Sequence, residues 1–175
     1  MASKLREQLI YELELRDRDE KTKKAYLSSM EKFVRFYHKS PDTLGIPEIR
    51  DYQHYLLTQK KFKANTVNRE LCAIRFFYRN VLHRYWYVDA LPRVRGPKII
   101  PVILSEQEVA AMINEIHSVF YKAILMLMYS SGLRNSELRN LKTIDIDSAR
   151  NLIDVRCAKG KKDRQAFLSP LALKA

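Results

Sequence analysis

The stretch SGLRNSELRNLKTIDID, residues 131–147, is followed three residues later by NLIDVRCAKGKKDRQAFLSP, residues 151–170. Leucines recur at helical spacing in the first segment, whereas apolar and polar residues alternate in the second around a glycine-containing turn. The change of period predicts a short helix followed by a β-hairpin, and therefore an α+β unit. Arg134 stands where the helix begins, at the end where the backbone dipole is already positive, which indicates that an anion belongs there.

The charge of the chain points to nucleic acid as the first choice of partner and an anionic membrane as the second. The 175 residues carry a net charge of +12, and basic residues outnumber acidic ones by ten to three over positions 51–100 and by six to two over 151–175. The longest wholly apolar run, residues 123–128, is too short to span a bilayer. We therefore expect a nucleic acid as the partner, and no membrane; the helix face described below favours double-stranded DNA.

Four segments before residue 90 have the apolar spacing of amphipathic helices. Thr22 is the predicted N-cap of the second, and Pro47 suits the first turn of the third. The segments cover residues 3–16, 22–38, 47–59 and 65–83. Four such helices predict a small bundle over residues 1–90.

The last of these helices has a second, polar face. A basic face that also carries an asparagine can reach phosphates and base edges of DNA, although the same pattern fits an ordinary solvated helix surface. The residues on or beside this face are Lys60, Lys61, Lys63, Asn68, Arg69, Cys72, Arg75 and Arg79.

Residues 91–103 interrupt the helical pattern with three prolines and a glycine among basic residues that include Arg93 and Arg95. This composition predicts an extended basic linker suited to lie along DNA. A second unit is expected over residues 104–175. It opens with a capping box that predicts a helix over 105–117, and continues with an apolar core helix over 119–130.

Cys72 and Cys157 form neither a metal-binding nor a disulfide pattern. They are typical of reduced thiols in a cytoplasmic protein. The charged N-terminus does not have the pattern of a signal peptide. The sequence predicts no metal and no small-molecule cofactor.

The two quoted segments together resemble the first half of the catalytic domain of tyrosine recombinases, the phage integrase family, with the integron- and transposon-associated integrases as the nearest type. SPDTLGIPEIRDYQHYLLTQKKFKANTVNRELCAIRFFYRNVLHR, residues 40–84, resembles the core-binding domain of the same family. The resemblance implies a mainly α protein, in which a four-helix, SAM-like core-binding bundle precedes a partial α+β catalytic domain that ends in a β-hairpin. It also implies DNA binding in site-specific recombination and integration, with other recombinase protomers as further partners.

The resemblance assigns roles to three residues. In the family, a tyrosine attacks a DNA phosphodiester, and arginines stabilise the extra negative charge of the transition state. Arg134 matches the first of these arginines, and Glu137 matches the acidic residue that orients it. Lys159 matches the hairpin lysine that protonates the leaving 5′-oxygen, with Lys161 as the alternative. Additional DNA contacts are expected from the basic hairpin residues Lys161, Lys162 and Arg164.

The family's H-x-x-R motif and its nucleophile have no counterpart here, because no tyrosine, histidine or tryptophan follows Tyr129. We therefore interpret the chain as a truncated recombinase that neither cleaves nor joins DNA alone. The alternative is a stand-alone DNA-binding regulator that occupies recombination sites and antagonises a full-length integrase. A basic RNA-binding or scaffold protein is a third interpretation, which would make the spacing of Arg134 and Lys159 a coincidence.

Overall fold

The computed structural model describes residues 3–85, 91–97, 100–158 and 162–174. Contacts divide the chain into two compact units, Met1–Ile99 and Ile100–Ala175. Each unit has a hydrophobic core of its own. The fold is mainly α, with a small antiparallel sheet in the second unit.

The first unit contains the four predicted helices. They are α1 (Ser3–Leu15), α2 (Glu20–Tyr37), α3 (Ile46–Thr58) and α4 (Ala64–Phe76). The predicted N-cap of α2 is wrong by three residues: Asp19 caps the helix, and its Oδ1 accepts a hydrogen bond from the backbone N–H of Thr22 at 2.5 Å. Because the carboxylate of an aspartate is among the best N-cap acceptors, the helix begins before Thr22.

A π-helical turn, Phe77–Val81, continues α4. The structure buries two adjacent aromatic residues of this turn, Phe77 and Tyr78. The wider π turn changes the angular spacing of the residues within it, which allows two adjacent rings to face inward. The Tyr78 hydroxyl donates to the backbone carbonyls of Pro41 and Leu44, at 2.6 and 3.2 Å.

Part of the predicted linker belongs to the first unit instead of forming a free strap. Leu91 is buried in the helical core, and the Gln53 side chain donates to the carbonyl oxygen of Pro92 at 3.1 Å. Composition alone predicted an extended connection over residues 91–103, but the apolar side chain of Leu91 and the polar groups of α3 and α4 hold residues 91–97 against the bundle.

The second unit combines short helices with a three-stranded sheet. Its helices are α5 (Glu106–Asn114), α6 (Val119–Ser131), α7 (Asn135–Arg139) and α8 (Pro170–Lys174). Its strands, in the order β1-β2-β3, are β1 (Ile146–Asp147), β2 (Leu152–Ala158) and β3 (Lys162–Phe167). Antiparallel pairing of β2 with β3 confirms the predicted hairpin. The sequence did not predict β1, because two residues are too few to show a period.

Register and burial define the inner face of the hairpin. Ile153 pairs with Ala166, and Val155 pairs with Arg164. Since cross-strand partners lie on the same side of a sheet, Arg164 shares the inner face with the buried side chains of Ile153, Val155 and Ala166. An arginine therefore continues an otherwise apolar face.

The expected burial of the helix over 119–130 is wrong. The described side chains of α6 are at best partly buried, and Tyr121, Leu125 and Tyr129 are exposed. Its neighbours among the described residues, α5, α7, α8 and β3, leave part of its apolar surface uncovered. None of the helices in the described part of the chain is both long and apolar enough to cross a membrane.

Candidate functional site

The turn between α6 and α7 determines where Arg134 lies. Gly132 ends α6 in the left-handed conformation, with φ of +60°, and its N–H donates to the carbonyl oxygen of Met128 at 3.1 Å. Glycine adopts this conformation without the steric cost that a Cβ imposes. Leu133 is buried in the core of the second unit, and Arg134, the N-cap residue of α7, points outward.

The carboxylate of Glu137 is the centre of this site. Its Oε2 accepts the backbone N–H of Arg134 at 2.9 Å, and its Oε1 accepts Nη1 of the same residue at 2.6 Å. The Glu137 side chain is 4% exposed, compared with 56% for Arg134. A buried carboxylate thus holds both the backbone and the guanidinium of an exposed arginine.

A second arginine reaches the same carboxylate from the sheet. Nη2 of Arg164 lies 2.8 Å from Oε2 of Glu137. The Arg164 side chain is 35% exposed, and its buried Nε has no hydrogen-bond partner among the described residues. The basic surroundings of Arg164 predicted a DNA contact, whereas its inward register places the guanidinium on Glu137.

These donors lower the pKa of Glu137 to about 2. The largest cause is the hydrogen bond from the backbone N–H of Arg134, and the guanidinium groups of Arg164 and Arg134 add to it against the opposing effect of burial. The anion at the start of α7 is therefore Glu137 itself. Two guanidinium groups around one carboxylate leave a local excess of one positive charge.

Arg156 forms a separate ion pair on the other face of the hairpin. Its Nε lies 2.9 Å from Oδ1 of Asp145, and Oδ2 of this buried aspartate accepts the backbone N–H of Lys142 at 3.0 Å. The described part of the hairpin thus shows an arginine–carboxylate contact on each face, and the inner contact uses the carboxylate that also holds Arg134.

The predicted general acid lies between β2 and β3 in the sequence. Lys159 and its alternative Lys161 lie outside the described residues. Lys162 is the first residue of β3, and its side chain is not part of the described structure. The roles assigned to these three lysines remain predictions.

Only some of the residues on the predicted polar helix face are exposed. Asn68 exchanges two hydrogen bonds with the backbone of Val94, at 2.9 and 3.0 Å, and Nη2 of Arg75 donates to the carbonyl oxygen of Leu91 at 2.7 Å. Cys72 and Arg79 are exposed. The sequence grouped the four residues by helical spacing, but the chain returns to cover part of this face.

Exposed cations lie near the N-terminal end of α4. A Cβ added to Gly96 would lie 2.8 Å from the Cβ of Ala64, so the chain at Gly96 runs directly against the first residue of the helix. This approach brings residues 93–97 near α4. The exposed side chains of this region, called the basic patch below, are Lys60, Lys61, Lys63, Arg69, Arg93 and Arg95.

Sequence reasoning missed two further arginines. A cleft of the first unit is lined by Arg16 and Arg18 together with Cys72, Arg75 and Arg79. The guanidinium of Arg16 lies 5.6 Å from the centre of the Phe76 ring and also pairs with Glu12. The nearly balanced charge of residues 1–50 gave no indication of this cluster, which forms because α1 packs against the π-helical turn that follows α4.

The two units, a helical bundle and a small α+β unit, each match a family model. Two family models match the chain: "Phage integrase, N-terminal SAM-like domain" over residues 5–87 and "Phage integrase family" over residues 102–175. The chain belongs to the phage integrase family of tyrosine recombinases.

Individual relatives agree with this assignment. The integrase/recombinase y4qK of Sinorhizobium fredii is 38% identical over 97% of this chain and 55% of its own length. The tyrosine recombinase XerC of Lactobacillus leichmannii is 34% identical over 84% of this chain and 54% of its own length. The chain thus spans about half the length of these curated relatives.

A solved structure shares the fold at low sequence identity. It is the integrase of the Tn1549 transposon, in a complex with circular intermediate DNA. The match has a TM-score of 0.61 and 14% identity, and covers 97% of this chain and 62% of that one. The likeness establishes the fold.

Proposed function

We propose that this chain binds duplex DNA as the core-binding and partial catalytic portion of a site-specific recombinase. The observation that carries the proposal is the basic patch, because residues 91–97 fold against the bundle and bring Arg93 and Arg95 near the start of α4, where Lys63 and Arg69 are exposed. Clustered exposed cations bind the phosphate backbone.

Arg134 is the proposed phosphate ligand of the second unit. Its Nη1 is held by Glu137, whereas its Nε and Nη2 make no hydrogen bond to any described residue and remain available to an anion. A planar guanidinium whose orientation is fixed can bind two phosphate oxygens at once. This geometry supports stabilisation of the charge that develops during phosphoryl transfer.

The test of DNA binding is a salt series with fluorescently labelled duplex DNA. We expect log affinity to fall linearly with log salt concentration, and the double variant Lys63→Ala with Arg95→Ala to reduce the slope by up to about 2. Lys4→Ala with Lys21→Ala removes the same charge from exposed positions of α1 and α2, and should leave the slope unchanged. A salt-independent affinity, or a strong preference for single-stranded RNA, would contradict the proposal.

We also propose that the 175 residues alone do not cleave DNA, because no tyrosine follows Tyr129. A nicked suicide substrate should therefore trap no covalent protein–DNA adduct, and an adduct would overturn this part of the proposal. The regulator interpretation requires the same basic patch. It predicts that the chain, added to a full-length integrase of the same element, lowers recombination by occupying its site.

A further inference from the structure

Arg164 connects the hairpin to the turn that carries Arg134. It lies on β3 opposite Val155, on the face that packs into the core of the second unit. From there its Nη2 reaches Oε2 of Glu137 at 2.8 Å. Because Glu137 belongs to α7, this contact joins the sheet to the short helix through a charged hydrogen bond.

Glu137, held by Arg164, in turn restricts the orientation of the Arg134 side chain. With Arg164 present, Oε2 accepts one hydrogen bond from each side, from the Arg134 backbone and from Nη2 of Arg164, which leaves Oε1 directed at Nη1 of Arg134. The Arg134 guanidinium has no other hydrogen-bond partner among the described residues and is more than half exposed. Its orientation therefore depends on how firmly the carboxylate of Glu137 is held.

We propose that Arg164 is a positioning residue: through Glu137 it fixes the guanidinium of Arg134 in relation to the β2–β3 hairpin. The proposal rests on the proposed function only for the identity of the anion that Arg134 meets, a DNA phosphate. Arg164 itself is directed at a carboxylate of this chain.

The burial of the site explains why an arginine suits this position. The Nε of Arg164 is buried and has no hydrogen-bond partner within the described ranges, so the side chain enters the inner face of the sheet and presents its far end to Glu137. A guanidinium places its charge farther from the strand and donates from a rigid plane, whereas the ammonium of a lysine is compact and strongly hydrated. Lysine should therefore recover only part of the effect.

The experiment uses the full chain labelled with ¹⁵N and ¹³C, and two NMR signals. The first is the pH midpoint of the Glu137 carboxyl carbon, and the second is the ¹⁵N order parameter of Arg134 Nε. In Arg164→Met, which keeps an aliphatic stem, we expect the midpoint to rise by about one pH unit and the Arg134 side chain to become more mobile. Arg164→Lys should lie between Arg164→Met and the unsubstituted chain for both signals.

Arg156→Ala is the matched control, since it removes an arginine–carboxylate contact from the other face of the same hairpin. It should leave both signals unchanged. The inference is overturned if Arg164→Met keeps the amide signals of Ile153 and Ala166 while Glu137 and Arg134 behave as in the unsubstituted chain. If Arg164→Met unfolds the second unit, Arg164→Gln is measured instead, and unchanged signals there have the same meaning.

Addition of duplex DNA separates this inference from the proposed function. In the unsubstituted chain, DNA should shift the Arg134 Nε signal; in Arg164→Met the shift should be at least halved, while the overall affinity stays within about twofold because most phosphate contacts lie elsewhere. If DNA does not shift the Arg134 Nε signal in the unsubstituted chain, the proposed phosphate contact of Arg134 is wrong. The effect of Arg164→Met on the pH midpoint of Glu137 is not affected by that outcome. An equal shift in both proteins overturns the positioning role.

Discussion

Asn68 and Val94 form a closed pair of hydrogen bonds, in which the side-chain amide of Asn68 donates to the Val94 carbonyl oxygen at 2.9 Å and accepts the Val94 N–H at 3.0 Å. One side chain thus satisfies both backbone groups of a residue 26 positions away. The pair holds Arg93 and Arg95 on either side of Val94 near α4, and so it maintains the basic patch.

Asn68→Ala should therefore release residues 91–97. The loss of two hydrogen bonds from a partly buried site should lower the free energy of unfolding of the first unit by about 2 kcal/mol. Chemical denaturation measures this change, while hydrogen exchange of the Val94 amide and trypsin cleavage after Arg93 report local release. Arg69→Ala, an exposed neighbour, should change none of these, and equal protection of Val94 in Asn68→Ala would contradict the prediction.

Gly96→Ala tests the close approach of the same segment to α4. The added methyl group would lie 2.8 Å from the Cβ of Ala64 and cannot be accommodated without movement of the backbone. We expect a loss of about 1–3 kcal/mol. Ala64→Gly removes the opposing methyl group, so the double variant should be more stable than the sum of the two single effects. Strictly additive effects in a double-mutant cycle would show that the two positions do not meet.

Tyr78→Phe should destabilise the first unit. The fully buried hydroxyl donates towards two carbonyl oxygens, those of Pro41 and Leu44, which would lose a donor in the variant. The expected loss is about 1–3 kcal/mol by thermal or chemical denaturation. Tyr11→Phe alters a tyrosine that is 60% exposed and should cost close to nothing. A loss of similar size in both variants would indicate a general effect of the missing hydroxyl.

Glu137→Gln should change the pH dependence of the second unit. The pKa of Glu137 is lowered from 4.5 to about 2 in the folded chain, so its ionised form stabilises the fold fully above pH 4.5, and this contribution is lost as the pH falls towards 2. The unsubstituted chain should thus be the more stable of the two at pH 7, and the difference should disappear near pH 2. Urea denaturation at each pH, followed by the amide signals of Ile153 and Ala166, measures the stability of both proteins. A stability difference that does not change with pH would contradict the prediction.

The cleft lined by Arg18 and Arg79 predicts that these two arginines contribute similarly to DNA binding. Arg18 follows α1 and Arg79 lies in the π-helical turn after α4, yet both line one cleft. If DNA phosphates reach the cleft, Arg18→Ala and Arg79→Ala should weaken duplex binding to a similar extent and reduce the salt slope by about 1 each. Lys4→Ala is the control. A loss confined to Arg79→Ala would show that the two arginines do not share a ligand.

The sequence by itself determined the periodic elements and the family. Four amphipathic stripes predicted the bundle, and alternation around a glycine-containing turn predicted the hairpin, because residues close in the chain decide which face of a helix or strand is apolar. The motif around Arg134 and Glu137 could be recognised for the same reason, because it lies within one short segment.

Only the tertiary structure decided which polar residues remain available to a partner. Asn68 and Arg75 share a helix face with Arg79, yet the chain returns to bond the first two and leaves Arg79 beside Arg16 and Arg18. Arg164 lies among basic residues of the kind that contact DNA, yet the register of β3 directs its side chain inward to Glu137, 27 positions earlier. Such partners are separated by long stretches of chain, and local spacing carries no information about which distant group will satisfy a given side chain.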